Sequence, residues 1–318
     1  MPSDWNAAIE GKMRELLEDA GPLQPLVDYL ASTRGKRLRP HLVMWTSLAC
    51  SRASGSEPQD DDVLNVAAAF ELVHMASLVH DDIIDGATER RALPTVHLIW
   101  GIHSAVLAGD YLFTRANKIA LKYSGLGIAS LVNQAIELTC EGEVAQDSRL
   151  FDCTVSEREY LSHICRKTAA LIGAACQAGA ILGGATREVE EAMLRFGIEL
   201  GCAFQIVDDV IDLTSDSATS GKPSCNDIRR GILTLPLIMA MAGPAGGMLE
   251  RAFGQRSVEG DTVTEIRALC EQSDCIDRAR ENARVLALSA ESRLNALLPS
   301  LAKSALAAIA RGVVDRRS

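Results

Sequence analysis

Aromatic side chains are scarce in this sequence of 318 residues. Only 4% of the residues are Phe, Trp or Tyr, whereas 47% are hydrophobic, so a large core must consist mainly of Leu, Ala, Ile and Val. That mixture, with only ten prolines over the whole length, favours helices. No alternating pattern typical of strands is sustained anywhere, and we therefore predict an all-α fold.

An excess of positive charge is also absent, because the formal net charge is −10. This balance argues against a general nucleic-acid-binding protein, and we expect no nucleic-acid partner. An anionic substrate would then have to be held by locally placed lysines, arginines or metal ions.

The nine cysteines are odd in number and scattered, and they contain no Cys-x-x-Cys pair. This pattern suggests neither a disulfide framework nor a zinc site, and it is typical of reduced thiols in a cytoplasmic protein. Residues 2–18 are charged and lack an apolar signal core. Residues 168–185 are nearly long enough to span a bilayer, but they are rich in Ala and Gly, so we predict a buried core helix and no transmembrane segment.

One ten-residue pattern occurs twice, at residues 76–85 and at residues 203–212. Each copy is an apolar run that ends in Asp-Asp-x-x-Asp without an internal Gly or Pro, which predicts the C-terminal part of a buried helix. Residues four apart share a helical face, so Asp81 lies above Asp85, and Asp208 lies above Asp212.

Paired carboxylates beside apolar side chains repel each other and lose hydration unless a cation lies between them. Carboxylate ligands suit a hard cation such as Mg²⁺, which one or two carboxylates and the phosphates of a substrate commonly hold. The two copies therefore predict two acidic patches that bind a phosphorylated ligand through magnesium. The alternative for each copy is an acidic helix end on the surface.

Positive charge is concentrated at two places in the first third of the chain. Residues 35–40 read Gly-Lys-Arg-Leu-Arg-Pro and precede an apolar helix, whose N-terminus would add to a phosphate site. A solvated basic turn is the alternative. Arg90 and Arg91 follow the first acidic motif, and their guanidinium groups match the oxygens of a diphosphate.

The remaining pattern indicates a succession of helices joined by short loops. The polar, Gly- and Ser-rich residues 214–231 are a candidate lid, and Ser156 with Glu159 predicts a capping box. The predicted helices cover residues 4–19, 22–33, 62–85, 103–122, 128–146, 187–213 and 234–241, with a further one after Pro40 and another after Ser156.

With these motifs in place, the sequence closely resembles the trans-isoprenyl diphosphate synthases, or polyprenyl synthetases, from about residue 35 to residue 236. The resemblance rests on several motifs in the family's order. They are Gly-Lys-Arg-Leu-Arg-Pro, His-Asp-Asp-Ile-Ile-Asp, Glu-Arg-Arg-Ala-Leu-Pro-Thr-Val-His, Ala-Gly-Asp-Tyr-Leu, Lys-Thr, Phe-Gln-Ile-Val-Asp-Asp-Val-Ile-Asp and Gly-Lys-Pro.

The resemblance implies one polyprenyl synthetase-like domain over residues 1–318, a single helical bundle around a deep central cavity, and a homodimer. It implies condensation of isopentenyl diphosphate with an allylic diphosphate. It also implies three Mg²⁺ ions bound with the substrate. The implied metal ligands are Asp81, Asp85 and Asp208, supported by Asp82, Asp209 and Asp212.

The resemblance further assigns the two diphosphates to separate sets of residues. The allylic diphosphate would be held by Arg90, Lys167, Thr168, Gln205 and Lys222, and isopentenyl diphosphate by Lys36, Arg39, His74 and Arg91. His74 also lies seven residues before Asp81, on the same helical face, although a core histidine is the alternative.

Product length follows from the residues before the first motif. Ser77 and Ala76, four and five residues before Asp81, are small where family members that stop at fifteen carbons carry an aromatic residue. Val73 continues this open face, so we expect a product longer than fifteen carbons, of twenty-five or more. The alternatives are a geranylgeranyl diphosphate synthase or the catalytic subunit of a heteromeric synthase.

Two departures from the family pattern and two remoter functions also arise. Ile232 stands where the family often has a phosphate-binding lysine, so we expect weakened allylic binding, whereas Ala92 in place of the usual Gly should matter little. A terpene cyclase would leave the basic motif at residues 35–40 unexplained. A His-Asp type phosphohydrolase built on His80 would leave the second acidic motif unexplained.

Overall fold

The computed structural model describes residues 3–33, 35–54, 60–215 and 225–316, and helices dominate these ranges. The two strands found there, β1 (Glu89–Arg90) and β2 (Leu93–Pro94), are two residues long and pair as an antiparallel hairpin. The predicted all-α fold is therefore confirmed.

The α-helices of the described residues are numbered in chain order. They are α1 (Ser3–Leu17), α2 (Gln24–Ser32), α3 (Leu38–Ser54), α4 (Asp60–Ile84), α5 (Val96–Trp100), α6 (Ile102–Ala120), α7 (Ile128–Asp147), α8 (Glu157–Ile164), α9 (Ala170–Leu182), α10 (Arg187–Thr214), α11 (Asn226–Arg230), α12 (Leu235–Ala240), α13 (Pro244–Gly254), α14 (Asp261–Glu271), α15 (Cys275–Arg293) and α16 (Leu301–Val314).

Shorter helical segments join some of these elements. Three are 3₁₀ helices, at Gly21–Leu23, Leu121–Leu126 and Leu294–Ala296. Cys165–Ala169 forms a π-helical turn between α8 and α9, and the sequence did not predict it. A single π turn within an α-helix is uncommon and is often found at a functional site.

The chain divides into two compact units. The first comprises residues 1–136, 174–194 and 297–303, and the second comprises residues 137–173, 195–296 and 304–318, as far as they are described. Each acidic motif thus belongs to its own unit, with residues 81–85 in the first and residues 208–212 in the second.

Helix α4 forms the core of the first unit and packs against α6, α3 and α1. Most of its residues are buried, including fully buried Phe70 and Leu72. Among the described residues it is the helix long and apolar enough to cross a membrane, with a mean hydropathy of 1.4 over a window that is 72% buried. A core helix meets the same criterion, so its composition is weak evidence for a membrane span.

In the second unit, the capping box predicted at the start of α8 is present. The Ser156 hydroxyl accepts from the Glu159 N–H at 3.2 Å, and the Glu159 carboxylate accepts from the Ser156 N–H at 2.9 Å.

At the C-terminal end of α10, Arg267 donates to the carbonyls of Thr214 and Ser215. These bonds satisfy carbonyls that the end of α10 leaves without helical partners.

The π turn is closely enclosed by two glycines of neighbouring helices. A Cβ added to Gly142 of α7 would lie 2.5 Å from the Lys167 backbone nitrogen, and a Cβ added to Gly201 of α10 would lie 2.6 Å from the Ala169 Cα. Backbone atoms cannot move aside as a flexible side chain does. Both positions therefore need glycine for the helices to approach the turn this closely.

We expect Gly201→Ala to lower the free energy of unfolding by about 1–3 kcal/mol, because overpacking against backbone outweighs the better helix propensity of alanine. Gly11→Ala, at a helical position with nothing within 4 Å of the added Cβ, is the matched control and should raise it by up to about 1 kcal/mol. Urea denaturation of both variants measures the difference. A Gly201→Ala protein as stable as Gly11→Ala would contradict the close packing.

Candidate active site

The first acidic motif lies at the C-terminal end of α4. The N–H of Asp85 donates to the Asp81 carbonyl at 2.7 Å, so the two residues are one helical turn apart on one face, as predicted. Asp85 is exposed and Asp81 is half-buried, whereas Asp82 points away from them and is buried. Two solvent-accessible carboxylates on one face fit the binding of a hydrated cation.

The Asp82 side chain binds Arg90 and does not lie on the helical face that Asp81 and Asp85 share. The Arg90 Nε donates to the Asp82 carboxylate at 2.7 Å, and Arg90 belongs to the β1–β2 hairpin. Burial raises the pKa of the Asp82 carboxyl, and the Arg90 guanidinium opposes that rise. The pair fixes the hairpin, with its arginines, beside the acidic helix end.

The hairpin turn itself requires left-handed backbone. Arg91 has a φ of 55° and Ala92 a φ of 60°. A non-glycine residue in this region costs about 1–2 kcal/mol. Glycine, the usual family residue at the second position, would adopt this conformation without that cost.

A cationic cluster surrounds His74 in the middle of α4. Desolvation holds the pKa of the His74 imidazole well below its usual range, and Arg39, Arg91, Arg90 and Arg37, in that order, lower it further. The imidazole is therefore neutral at pH 7. Guanidinium groups around an uncharged imidazole favour the binding of an anion between them.

Arg37 belongs to the basic motif at residues 35–40, but the family resemblance assigned it no substrate. Its Nη1 donates to Glu71 at 2.9 Å, its Nη2 donates to the Thr33 carbonyl at 2.9 Å, and both side chains of the ion pair are almost fully buried. Burial lowers the pKa of the Arg91 guanidinium, and Glu71 opposes that fall. Glu71 lies three residues before His74 on α4, and this helical spacing was the sequence feature that could have placed it beside His74.

A pocket in the first unit joins these polar groups to an apolar wall. Its lining consists of Tyr29, Leu30, Thr33, Glu71, His74, Met75, Leu78, Val79, Asp82, Arg90, Arg91, Leu93, Pro94, Thr95 and Val96. Lys36 is exposed and is not part of this lining, whereas the predicted residues His74, Arg90 and Arg91 are brought together.

The predicted chain-length residues lie on the same helix. Val73 and Ala76 are buried, and the Ser77 hydroxyl donates to the His74 carbonyl at 2.9 Å. All three side chains are small or medium-sized, so this stretch carries no aromatic obstruction at the predicted positions.

In the second unit, the π turn positions Lys167 and Thr168. The Lys167 ammonium lies 2.6 Å from a Glu143 carboxylate oxygen and donates to the Gln146 side chain at 2.8 Å. The Thr168 hydroxyl donates to Gln205 of α10 at 2.8 Å. The turn thus places the Lys167 ammonium against α7 and the Thr168 hydroxyl against α10, the helix that carries the second acidic motif.

Asp209 of that motif is the centre of a hydrogen-bonded chain. It accepts from Gln205 at 2.8 Å and from the Tyr160 hydroxyl at 2.6 Å. Burial nevertheless raises the pKa of the Asp209 carboxyl to about 7. Burial and the neighbouring Asp209 raise the pKa of Tyr160 well above its usual range, so Tyr160 stays a neutral donor.

The other carboxylates of the second motif are held by backbone and by the C-terminal segment. Asp212 accepts from the N–H groups of Asn226 and Asp227, at 3.2 and 3.1 Å. Burial, then Asp212 and Asp209, raise the pKa of Asp227 well above its usual range. The desolvated carboxyl groups of Asp209, Asp212 and Asp227 favour the binding of a positive charge near them.

A cation already contacts Asp208 in this structure. The Arg316 guanidinium lies 2.9 Å from the Asp208 carboxylate and 4.4 Å from the centroid of the Phe204 ring. Arg316 follows α16 and belongs to the basic C-terminal tail, which the family resemblance associates with isopentenyl diphosphate. Its position shows that the exposed edge of the second motif accepts a positive group.

A pocket in the second unit gathers the predicted residues of this region. It is lined by Gln146, Arg149, Val155, Tyr160, His163, Ile164, Lys167, Thr168, Gln205, Asp209, Asp227, Arg230, Ile232, Leu233 and Thr234. Lys222, predicted to bind the allylic diphosphate, lies outside the described residues. Gln146, Arg149, Tyr160 and Arg230 were missed, because their sequence neighbours give no motif of their own.

Within the described ranges, no group of three or more His, Cys, Asp or Glu side chains is arranged to hold a metal ion. A cation that depends on one or two carboxylates and completes its coordination with substrate phosphates and water does not need such a group. Asp81 and Asp85 supply carboxylates of that kind.

Comparison with known proteins assigns these motifs to one family. The family model for polyprenyl synthetase matches residues 21–270. Solanesyl diphosphate synthase 2 of Arabidopsis thaliana, a chloroplastic protein, is 34% identical over 295 residues, which span 92% of this chain and 70% of that protein. A short chain isoprenyl diphosphate synthase of Methanothermobacter thermautotrophicus is 36% identical over 327 aligned residues, covering 98% of this chain and 96% of that protein.

A solved structure is similar over nearly the whole length. Polyprenyl synthase from Caulobacter crescentus, complexed with calcium and isoprenyl diphosphate, has a TM-score of 0.90 and 33% sequence identity, and the match covers 99% of this chain and 95% of that one.

We expect His74→Gln to reduce the loss of stability at acidic pH. Because the pKa of His74 is lowered in the native state, the unfolded chain takes up a proton as the pH decreases through 6.5, whereas the native imidazole does not, so stability falls below that pH. One pH unit below that value the cost is about 1.4 kcal/mol, and glutamine removes it. Urea denaturation at pH 7.5 and 5.5 measures the difference.

The exposed His103 provides the matched control, because its side chain is solvated in both states. His103→Gln should leave the pH dependence of stability unchanged. Identical pH dependence in the wild-type protein and the His74→Gln variant would contradict a neutral His74.

Proposed function

The chain belongs to the polyprenyl synthetase family, and on this premise we propose that it is a trans-prenyltransferase. It condenses isopentenyl diphosphate with an allylic diphosphate to give an all-trans polyprenyl diphosphate longer than fifteen carbons. The observation that carries the proposal is that each acidic helix end lies in a unit with its own cationic pocket. His74, Arg90 and Arg91 line one pocket, and Lys167 and Arg230 line the other.

The chemistry requires charge stabilisation rather than a protein nucleophile. Breaking the allylic C–O bond separates a carbocation from a diphosphate anion, and the double bond of isopentenyl diphosphate attacks the cation. Positive groups at the departing oxygens stabilise the developing charge. At ~4 Å one such charge pair contributes about 1 kcal/mol in water and about 4 at an effective dielectric of 20, so the exclusion of water strengthens each contact.

Residues of the second unit are proposed to hold the allylic diphosphate. Lys167 supplies an ammonium group, and Thr168 and Gln205 supply neutral hydrogen-bonding groups that the π turn and α10 keep in contact at 2.8 Å. Arg230 lines the same pocket. Arg90 and Lys222 complete the proposed set on the strength of the family resemblance alone.

Isopentenyl diphosphate is proposed to bind the cationic cluster of the first unit. Arg39, His74 and Arg91 are its assigned residues, with Lys36 as an exposed addition. The buried Arg37–Glu71 pair supports the cluster by fixing one guanidinium in place. A bound diphosphate would balance the positive charge of the guanidinium groups around the neutral His74.

We propose that Mg²⁺ is the cofactor, with three ions bound in the presence of substrate. Asp81 and Asp85 present accessible carboxylates on one helical face, and the contact of Asp208 with the Arg316 guanidinium supports a cation-binding role for its edge of the motif. When bound, the metal would neutralise charge on the diphosphate oxygens. Asp82, Asp209 and Asp212 support these ligands through their own hydrogen bonds. The calcium in the Caulobacter crescentus structure is consistent with a divalent cation.

Product length beyond fifteen carbons is supported by two observations. Ala76, Ser77 and Val73 leave the helix face before Asp81 without an aromatic side chain. Solanesyl diphosphate synthase is among the relatives, although a short chain synthase is as well. A geranylgeranyl diphosphate synthase is therefore the second candidate. We also propose a homodimer of single-domain chains, on the family resemblance, and a cytoplasmic location, on the cysteine pattern of the sequence.

We expect the purified chain to extend allylic primers with isopentenyl diphosphate in the presence of Mg²⁺. The assay uses dimethylallyl, geranyl and farnesyl diphosphate in turn and sizes the dephosphorylated products by thin-layer chromatography. Ala76→Phe should shorten the product by blocking the growing chain, and Ala76→Ser is the control that should preserve its length. Farnesyl diphosphate as the wild-type end product would contradict the predicted length, and no product from the purified chain would indicate a missing partner subunit.

We expect Ile232→Lys to lower the KM for the allylic substrate about fivefold or more, because a new ammonium within reach of a diphosphate contributes at least about 1 kcal/mol. Ile232 is buried in the same pocket as Lys167, and Asp209 and Asp227 there can balance the added charge. Steady-state kinetics with Ile232→Met as the apolar control measures the change. An unchanged KM in the lysine variant would rule the idea out.

A further inference from the structure

Tyr160 is a buried residue of the second unit to which no sequence motif assigns a role. It lies on α8, and only 4% of it is exposed. Its hydroxyl donates to an Asp209 carboxylate oxygen at 2.6 Å, although the two residues are 49 apart in the sequence. Tyr160 also lines the pocket that contains Lys167 and Gln205. Its effect on that pocket therefore depends on the groups that share Asp209 with it.

The Gln205 amide is held at both of its polar atoms. Its oxygen accepts from the Thr168 hydroxyl at 2.8 Å, and its nitrogen donates to one Asp209 oxygen at 2.8 Å. Tyr160 donates to the other Asp209 oxygen. A carboxylate accepts at both oxygens and a hydroxyl carries one hydrogen, so each bond of this chain has a fixed direction. The amide cannot turn over without losing its bonds at both ends.

The chain of bonds connects three neighbouring segments of the second unit. The phenol comes from α8, the threonine hydroxyl from the π turn, and the amide and carboxylate from α10. Gln205 and Asp209 are four residues apart and therefore share one face of α10. One turn earlier, Gly201 packs against Ala169, which keeps α10 in close contact with the π turn. Backbone packing thus supports the same arrangement as the hydrogen bonds.

The orientation of the Gln205 amide decides what it offers to an anion. An amide nitrogen carries two hydrogens, and Asp209 accepts one of them. Among the described residues no contact takes the second hydrogen, and Gln205 lines the pocket together with Lys167. An N–H group beside an ammonium attracts the oxygens of a diphosphate. An inverted amide would present an oxygen in place of that N–H group and would repel them.

We propose that Tyr160 is a positioning residue for the allylic diphosphate, because it acts through Asp209 on the orientation of the Gln205 amide. This inference rests on the proposed function, which makes the allylic diphosphate the ligand of this pocket. The Tyr160 hydroxyl fixes the carboxylate, and the carboxylate fixes the amide nitrogen. Thr168 holds the amide oxygen from the other side.

Tyr123 provides a matched control in the first unit. It is also buried, with 8% exposure, and its hydroxyl also donates to a carboxylate, that of Asp62, at 2.8 Å. It lines neither of the two pockets described above. Tyr160→Phe and Tyr123→Phe therefore remove the same atom from the same kind of bond, but only the first removes a bond that is linked to Gln205.

Steady-state kinetics with geranyl diphosphate and isopentenyl diphosphate tests the role in binding. We expect Tyr160→Phe to raise the KM for geranyl diphosphate about fivefold or more, because it weakens one hydrogen bond to an anion, and to leave the KM for isopentenyl diphosphate within about twofold. Tyr123→Phe should change neither KM. An unchanged KM for geranyl diphosphate in Tyr160→Phe, or an equal rise in both KM values, would overturn the inference.

Urea denaturation tests the chain of bonds without any substrate. Substitutions within one hydrogen-bond network are non-additive in stability, whereas substitutions at unconnected sites add. The shift of the urea midpoint in the double variant Tyr160→Phe, Thr168→Val should therefore be smaller than the sum of the two single shifts. Tyr123→Phe combined with Thr168→Val should give the sum. Additive shifts for Tyr160 and Thr168 would also overturn the inference.

Calorimetric titration with inorganic diphosphate and Mg²⁺ separates this inference from the function on which it rests. A wild-type protein that transfers no prenyl group would contradict the proposed function, and the titration would then decide about Tyr160. A Kd for inorganic diphosphate that rises in Tyr160→Phe but not in Tyr123→Phe would support its positioning role. An equal Kd in the wild-type protein and Tyr160→Phe would overturn that role.

Discussion

Desolvation of carboxyl groups is the constraint on which the candidate site depends. Asp82, Asp209, Asp212 and Asp227 are placed where burial raises their pKa values, and a carboxylate in such a position is stable only when donors or cations surround it. The fold supplies part of that surrounding through side-chain and backbone donors. The remainder is available to a bound cation, and this is how an apolar helix end acquires affinity for metal and phosphate.

Each unit meets this constraint with its own set of supporting groups. In the first, the Arg90–Asp82 contact ties a hairpin to the acidic helix end, and the buried Arg37–Glu71 pair holds a guanidinium next to His74. In the second, Tyr160 and Gln205 donate to Asp209, and the first two backbone N–H groups of α11 donate to Asp212. Several residues that would bind substrate are therefore already held in place by other groups of the protein, which lowers the entropy lost on binding.

Local sequence patterns predicted helices and a helix cap, whereas features that depend on contacts between distant residues were missed. Apolar runs gave α4 and α10, Ser156 and Glu159 gave the capping box, and the four-residue spacing placed Asp81 above Asp85. The Arg37–Glu71 pair joins residues 34 apart, and no local periodicity reports such a contact. The π turn was missed because its residues have the same helix propensities as those of an ordinary α-helix, and the difference lies in packing against Gly142 and Gly201. Ile232 stands where the family often has a lysine, and that difference alone did not predict that its side chain is buried in the pocket.

The π turn also changes the angular phase of the chain. An α-helix advances about 100° per residue, and a π turn accommodates one more residue than an α turn does. Side chains that follow Ala169 therefore project about 100° away from where an uninterrupted α-helix starting at Glu157 would place them. Deleting one residue within Cys165–Ala169 would therefore restore a regular α-helix and leave the following residues on the face that they now occupy. An alignment that treats this stretch as a uniform helix assigns their inward and outward positions incorrectly.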